Sequence, residues 1–137
     1  MKIGICASSY GKYPLEERYK IMRAHGYEST DFGMSDTESA PYTLSDAEAA
    51  SMLKAHRKAA EEAGIELSQV HGPWRWPPQD GTEEDRAERM EKMKRCLHYT
   101  ALLGCKYMVV HPIMPFHIND IGTGKEETTW QINLDYY

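Results

Sequence analysis

GCKYMVVHP, residues 104 to 112, joins a glycine that can end a helix to a short apolar run with a histidine at its end. Two earlier stretches have the same order: GIELSQVHGP at residues 64 to 73 and, in a weaker form, GYESTDFG at residues 26 to 33. Gly64 lies 38 residues after Gly26 and Gly104 lies 40 after Gly64, while His71 and His111 each lie seven residues after their glycine. This repeat of helix, glycine, strand and polar residue predicts successive βα units.

Four such units predict a parallel sheet with crossover helices, which places the chain in the α/β class. The predicted strands are residues 2–6, 29–32, 67–70 and 107–110. Two architectures fit this pattern: the first four units of a TIM (β/α)₈ barrel, which needs about 250 residues, or a complete small flavodoxin-like domain of about 140 residues. The even period and the polar residues at successive strand ends favour the barrel. We therefore expect residues 1–137 to form a single domain, the N-terminal half of a barrel.

Helix boundaries follow from local signals. Ser45 and Glu48 form a capping box, and Thr82 can cap the following helix. An apolar stripe is predicted on that helix at Met90, Met93, Leu97 and Ala101.

A last helix is predicted to start at Thr129 as its cap, with Trp130, Leu134 and Tyr137 on one face. The pattern continues to Tyr137 without a C-cap, so we expect the chain to be cut within this helix.

Composition excludes several classes of function. The net charge is -5 and no basic run is present, which argues against a nucleic-acid partner. No apolar stretch approaches the roughly 18 residues of a membrane span, and the chain starts directly on the strand-like MKIGIC rather than on a signal peptide. Three cysteines without CxxC spacing predict reduced thiols in a cytoplasmic protein, with Cys6 and Cys105 as small core residues.

Polar residues at strand ends are the candidate site. In a barrel the C-terminal ends of the strands meet at one mouth, so Asp31, His71 and His111 should converge there. Neutral imidazoles can exchange hydrogen bonds with sugar hydroxyls or bind a metal, although a single strand-end histidine is often only a satisfied structural hydrogen bond. Two histidines at equivalent positions of the repeat favour the functional interpretation.

The loop GPWRWPPQDG, residues 72 to 81, follows His71 and adds further candidates. Trp74 and Trp76 can stack on the apolar face of a sugar ring, and Arg75 between them can meet a phosphate or a carboxylate. The alternative is that one tryptophan seals the top of the barrel and that Arg75 is solvated.

The stretches MKIGIC, GYESTDF, GIELSQVHGPW and GCKYMVVHP resemble the N-terminal half of the sugar phosphate isomerase/epimerase family, the xylose isomerase-like TIM barrels. The resemblance matches Asp31 to an acidic residue at the end of strand two, and His71 and His111 to the histidines of strands three and four. It implies a small sugar or sugar phosphate as the substrate. Under this resemblance six residues contact the substrate or orient other groups of the site: His71, His111, Asp31, Trp74, Arg75 and Trp76.

In this family a divalent metal (Mn²⁺, Mg²⁺, Co²⁺ or Zn²⁺) is held by two Glu, an Asp and a His at the ends of strands five to eight. The two carboxylates that move a proton at the carbon next to the sugar carbonyl belong to that set. The resemblance places all of these groups beyond Tyr137. We therefore expect no catalytic residue in this chain, no metal bound by it, and no turnover by the chain alone.

Two alternatives remain open at this stage. The related apurinic endonucleases recruit both histidines to a zinc cluster, which would make His71 and His111 metal ligands in a zinc hydrolase. A non-catalytic half-barrel could instead bind a small ligand or form a homodimer through its exposed sheet edges. None of these interpretations needs a membrane, and the acidic balance disfavours the nuclease.

Overall fold

A computed structural model describes residues 1–137, in which four strands alternate with four α-helices. Short 3₁₀ turns follow β1 (Ala7–Tyr10) and β4 (Ile118–Asp120). The elements are β1 Gly4–Cys6, α1 Leu15–Ala24, β2 Ser29–Gly33, α2 Asp46–Ala63, β3 Glu66–His71, α3 Glu83–Leu102, β4 Met108–Val109 and α4 Glu126–Tyr136.

All four strands lie in one sheet in the order β1-β2-β3-β4, and each neighbouring pair is parallel. This confirms the predicted α/β class with successive βα units. The register between β2 and β3 shifts once, because Thr30 pairs with Leu67 whereas Asp31 pairs with Gln69. The extra residue on β3 is Ser68, and the bulge brings Asp31 level with Gln69.

Most of the predicted helix signals are present. Capping boxes start α2 at Ser45 and α3 at Thr82, and Gly64 ends α2 in the left-handed conformation at φ 68°. The prediction that Thr129 caps the last helix is wrong. That helix starts at Glu126, because the Glu126 carboxylate accepts from the backbone N–H of Gly122 and stabilises an earlier first turn.

The hydrophobic core lies between the sheet and its helices and contains 16 buried residues. Its largest fully buried side chains include Tyr19 and Met22 of α1, Leu53 of α2, Val70 of β3 and Tyr99 of α3. Tyr19 and Met22 lie three residues apart and so share the inner face of α1.

The predicted stripe on α3 is only partly correct. Met93 is buried, but Leu97 and Ala101 are exposed. The buried side of α3 instead runs through Arg89, Met93, Cys96, Tyr99 and Thr100. Polar residues replace the expected apolar ones because they have partners inside the protein: Arg89 is bonded to a buried carboxylate, and the Thr100 hydroxyl donates to the Cys96 carbonyl at 2.7 Å.

The two cysteines expected in the core differ in exposure. Ile5 packs against the core, so the neighbouring Cys6 points to the opposite face and is exposed. The expectation that Cys6 is a core residue is therefore wrong, whereas Cys105 is buried as expected. Burial raises the pKa of the Cys105 thiol to about 11, and its Sγ donates to the Leu67 carbonyl.

No helix in residues 1–137 has the length and apolar character needed to cross a membrane.

Candidate functional site

Asp31 and His71 form a direct contact across the ends of β2 and β3. His71 Nδ1 lies 2.5 Å from Asp31 Oδ2, and both side chains are mostly buried. An ionised carboxylate has no proton to donate, so the donor of this hydrogen bond is the Nδ1–H group of His71. This leaves His71 Nε2 as the nitrogen that can meet another group.

Gln69 is a member of the site that the sequence interpretation missed. Its Nε2 donates to Asp31 Oδ2 at 3.3 Å, on the same oxygen that His71 contacts. The other carboxylate oxygen, Asp31 Oδ1, is buried and has no hydrogen-bond partner. Gln69 was identifiable in principle, because residues two apart on a strand share a face and Gln69 precedes His71 by two.

His111 lies beside His71 at the end of β4. The centroids of the two imidazole rings are 5.4 Å apart with an interplanar angle of 32°, and the Trp74 ring is 6.1 Å from His111. Burial lowers the pKa of His111, and His71 and Arg89 lower it further. His111 is therefore a neutral imidazole at pH 7.

The backbone of His111 is held by two donors that the sequence did not reveal. Arg89 Nη2 donates to the His111 carbonyl at 2.7 Å, and the Tyr137 hydroxyl donates to the same oxygen at 2.9 Å. Arg89 is only 2% exposed and also bonds Asp80 Oδ2 at 2.6 Å. The buried Asp80–Arg89 pair thus connects the β3–α3 loop (residues 72–82) to the end of β4.

Arg75 is engaged inside the protein. Its Nη1 lies 3.0 Å from Asp80 Oδ1 and its Nη2 lies 2.9 Å from Glu88 Oε2, while Nε donates to Thr37 Oγ1 at 3.3 Å. From the sequence, Arg75 was expected either to bind an anionic group of the substrate or to be solvated. In the structure this guanidinium instead links the β3–α3 loop to α3 through its ion pair with Glu88.

The two tryptophans stand at the rim of the site. Their ring centroids are 5.6 Å apart in an edge-to-face arrangement, and Trp76 is 71% exposed. The Trp74 backbone N–H donates to the Ser35 carbonyl at 2.9 Å, which ties this loop to the end of β2. A cleft of about 440 Å³ lies between the tryptophans and residues 35–38.

The side chains present do not form a metal centre. Within residues 1–137 no group of three or more His, Cys, Asp or Glu side chains is arranged to hold an ion. Of the two histidines considered as zinc ligands, His71 has its Nδ1 committed to Asp31. The site can therefore bind hydroxyl groups and an apolar ring face, but it does not fit a metal by itself.

Comparison with known proteins shows the same fold in several solved structures. A candidate xylose isomerase from Rhodospirillum rubrum is 20% identical, with a TM-score of 0.70 over 99% of this chain and 47% of that chain. The 3-keto-D-glucoside 4-epimerase of E. coli is 20% identical, with a TM-score of 0.57 over 80% of this chain and 37% of that chain. A family 2 AP endonuclease from Brucella melitensis is 15% identical, with a TM-score of 0.52 over 79% of this chain and 40% of that chain.

The chain spans less than half the length of each of these structures. No curated protein matches its sequence. The family model described as xylose isomerase-like TIM barrel matches residues 19–133, which is most of the chain. This match and the structural neighbours confirm the resemblance noted from the strand sequences: the chain belongs to the xylose isomerase-like TIM barrel family.

Proposed function

We propose that residues 1–137 form the first four βα units of a sugar isomerase or epimerase barrel and supply one wall of its sugar-binding site. The observation that carries this proposal is the contact of Asp31, His71 and His111 at the ends of three neighbouring strands. The C-terminal ends of strands are where TIM barrels bind their substrates. The two similar structures described as a candidate xylose isomerase and as a sugar epimerase support the same class.

Each residue of this wall has a defined role in binding. Asp31 accepts the Nδ1–H of His71, so Nε2 is the ring nitrogen that can meet a sugar hydroxyl. His111 is neutral at pH 7 and offers one donor and one acceptor. Trp74 lies next to His111, where its ring can cover the apolar face of a sugar.

Proton transfer next to the sugar carbonyl requires groups that this wall lacks. We place the metal-binding and proton-moving carboxylates of the family on strands outside residues 1–137, because the side chains here do not fit a metal. The role assigned to this chain is to bind and orient the sugar. Turnover then needs both halves of the barrel, and we place the protein in the cytoplasm on the basis of its free cysteines.

Binding can be tested on the chain itself. We expect D-fructose, used as a neutral ketose probe, to shift the NMR signals of the His71 and His111 rings and of the Trp74 indole. Asp31→Asn removes the charged acceptor of His71 and should weaken binding about tenfold or more. Asp135→Asn changes an exposed carboxylate on α4 and should leave binding unchanged. Shifts confined to the helices, or equal effects of the two variants, would contradict the proposal.

Turnover has its own test. In D₂O with Mn²⁺, the 137-residue chain should incorporate no deuterium next to the sugar carbonyl. The same chain joined to strands five to eight should incorporate it. Exchange by the short chain would show that catalytic groups lie within residues 1–137.

A second candidate is a zinc hydrolase of abasic DNA, favoured by the similarity to the AP endonuclease structure. In that case His71 and His111 would be zinc ligands, and His71 would bind through Nε2 while its Nδ1 keeps the contact with Asp31. The net charge of -5 opposes binding to a phosphate backbone. Zinc analysis of the joined, two-half protein separates the candidates, because several Zn²⁺ per chain would favour the hydrolase.

We also propose that the isolated chain self-associates. In the sheet β1 and β4 are the edge strands, and an uncovered edge offers unpaired backbone groups to a second copy. Gel filtration should give a species larger than the 15.7 kDa chain. A monomer with a cooperative unfolding transition would instead indicate a self-sufficient domain.

A further inference from the structure

The helix N-termini at the sugar-binding rim are already occupied by acidic residues. In parallel βα units the helices run back from the strand ends, so their N-termini surround the rim and are the usual sites for a phosphate group. All four helices carry carboxylates in the first turn. These are Glu16 and Glu17 in α1, Asp46 and Glu48 in α2, Glu83, Glu84 and Asp85 in α3, and Glu126 and Glu127 in α4.

Three of these carboxylates accept a backbone N–H group at or just before the start of their helix. Glu48 accepts from the Ser45 N–H at 3.0 Å, Asp85 accepts from the Thr82 N–H at 3.4 Å, and Glu126 accepts from the Gly122 N–H. Hydrogen bonds from the Ser45 hydroxyl and N–H lower the pKa of Glu48, and backbone N–H groups of Glu126 and Gly122 lower the pKa of Glu126, so both carboxylates are anionic at pH 7. Each of these helix ends therefore presents a carboxylate that repels a phosphate.

Two of the three basic residues of the rim are paired with carboxylates. The four segments that follow the strands (7–14, 34–45, 72–82 and 110–125) contain three: Lys12, Arg75 and Lys125. Arg75 is paired with two carboxylates, as described above, and Lys125 Nζ lies 2.9 Å from Asp120. Lys12 Nζ lies 5.0 Å from the centroid of the Tyr13 ring. The guanidinium closest to the tryptophans is therefore neutralised by its own neighbours.

The groups that face the cleft suit an uncharged ligand. Asp36 lines the cleft beside Trp74 and Trp76 and repels an anion. The other two charged residues of the lining are paired, Glu38 with Lys92 at 3.5 Å and Arg75 with Asp80 and Glu88. The aromatic rings of the cleft instead favour a C–H face. Outside the cleft lining, the neutral imidazole of His111 lies 6.1 Å from the Trp74 ring and can meet hydroxyl groups.

We propose that the ligand of this wall is a neutral sugar and that the rim discriminates against the corresponding sugar phosphate. This inference rests on the proposed function, because it names the substrate class of that same site. It also assigns Arg75 to the support of the loop rather than to the substrate.

The test compares D-fructose with D-fructose 6-phosphate on the 137-residue chain, using the same histidine and indole NMR signals. We expect the neutral sugar to bind at least about tenfold more tightly at low ionic strength. The preference should shrink in about 1 M salt, where the Debye length falls to about 3 Å.

A charge variant sharpens the comparison. Glu88→Gln removes the carboxylate that Arg75 shares with Lys92 and should raise the affinity for the phosphate ester relative to the neutral sugar. Glu91→Gln makes the same charge change on the exposed side of α3, where Glu91 pairs with Lys94, and should leave the ratio unchanged. A change in the ratio of the two affinities in a Glu88→Gln variant that remains folded distinguishes a charge effect from damage to the loop.

The outcomes separate the two proposals. Equal or tighter binding of the phosphate ester at this site would overturn the neutral-sugar inference and leave the proposed function standing. Failure of both ligands to shift the histidine and indole signals would contradict the proposed function, and the inference would fall with it.

Discussion

The β3–α3 loop and the β4–α4 loop (residues 110–125) both follow a strand-end histidine, but they are held in place in different ways. The first contains five buried residues, and its centre is the Asp80 carboxylate between Arg75 and Arg89. The second has a single buried residue, Ile113, and the helix α4 that follows it has none. Buried ion pairs therefore order the loop next to His71. The loop next to His111 has one buried apolar side chain, Ile113, whose backbone N–H and carbonyl are both hydrogen-bonded to the Asn133 side chain.

The difference is also visible in the space around the two loops. A groove of about 360 Å³ lies between the β4–α4 loop and α4, and Met114, Phe116 and Trp130 contribute much of its lining. Trp130 is 62% exposed. The position of His111 consequently depends on contacts to its own carbonyl, from Arg89 and Tyr137, more than on packing of the loop that follows it.

The largest expected effect concerns the polar anchor of the β3–α3 loop. Asp80→Asn should destabilise the chain by about 3–5 kcal/mol, because Arg89 keeps its buried charge and loses its partner. Asparagine tolerates the positive φ of 53° at this position, so the substitution isolates the charge. Urea unfolding measures the change. Asp135→Asn, at an exposed site, should stay within about 0.5 kcal/mol, and a similar loss in both variants would refute the role of the ion pair.

The apolar anchor of the other loop gives the next effect. Ile113→Ala should cost about 2–4 kcal/mol, since the side chain is fully buried and its removal leaves a cavity. Ile121 lies in the same loop and is 66% exposed, so Ile121→Ala should change the free energy of unfolding by less than about 0.5 kcal/mol. If the two variants unfold at the same urea concentration, the loop has no single anchor.

A close backbone approach predicts a smaller effect in the β3–α3 loop. A Cβ added at Gly72 would lie 2.8 Å from the Val109 carbonyl oxygen, in the strand next to it. Gly72→Ala should therefore cost about 1–3 kcal/mol through local displacement of β4. Gly81→Ala places its methyl group in open space and serves as the control in thermal unfolding. Equal melting temperatures for the two variants would show that β3 and β4 can separate without cost.

The smallest expected effect is a change in the pKa of His111. The lowered pKa of His111 means that the folded chain resists a proton that the unfolded chain accepts, so stability falls as the pH drops below the ordinary histidine value. His71→Gln removes one of the groups that lower this pKa and should move the NMR titration midpoint of His111 upward. His98→Gln, on α3, should not move it. A midpoint that is unchanged in His71→Gln would contradict the coupling of the two rings.

The sequence was sufficient for the order of the elements because each βα unit carries its own local signals. Glycines after helices, capping boxes and short apolar runs depend on a few neighbouring residues, and the repeat makes them consistent. The convergence of Asp31, His71 and His111 followed from the topology, since parallel strands end at one edge.

Long-range polar partners could not be predicted in the same way. Arg89 and Asp80 are charged residues that a sequence pattern assigns to the surface, and they are buried only because they lie opposite each other in the folded chain. The exposure of Cys6 depends on which sheet face the helices cover. These features require the packing of the elements as well as their order.

The central claim is that Asp31, His71 and His111 form one site, with the His71 proton fixed on Nδ1. A long-range ¹H–¹⁵N NMR spectrum of the histidine rings, combined with NOEs, tests it directly. We predict an Nδ1-protonated His71, NOEs between the His71 and His111 rings, and altered His71 signals in Asp31→Asn but not in Asp135→Asn. A His71 protonated on Nε2, insensitive to Asp31→Asn and without NOEs to His111, would contradict the account.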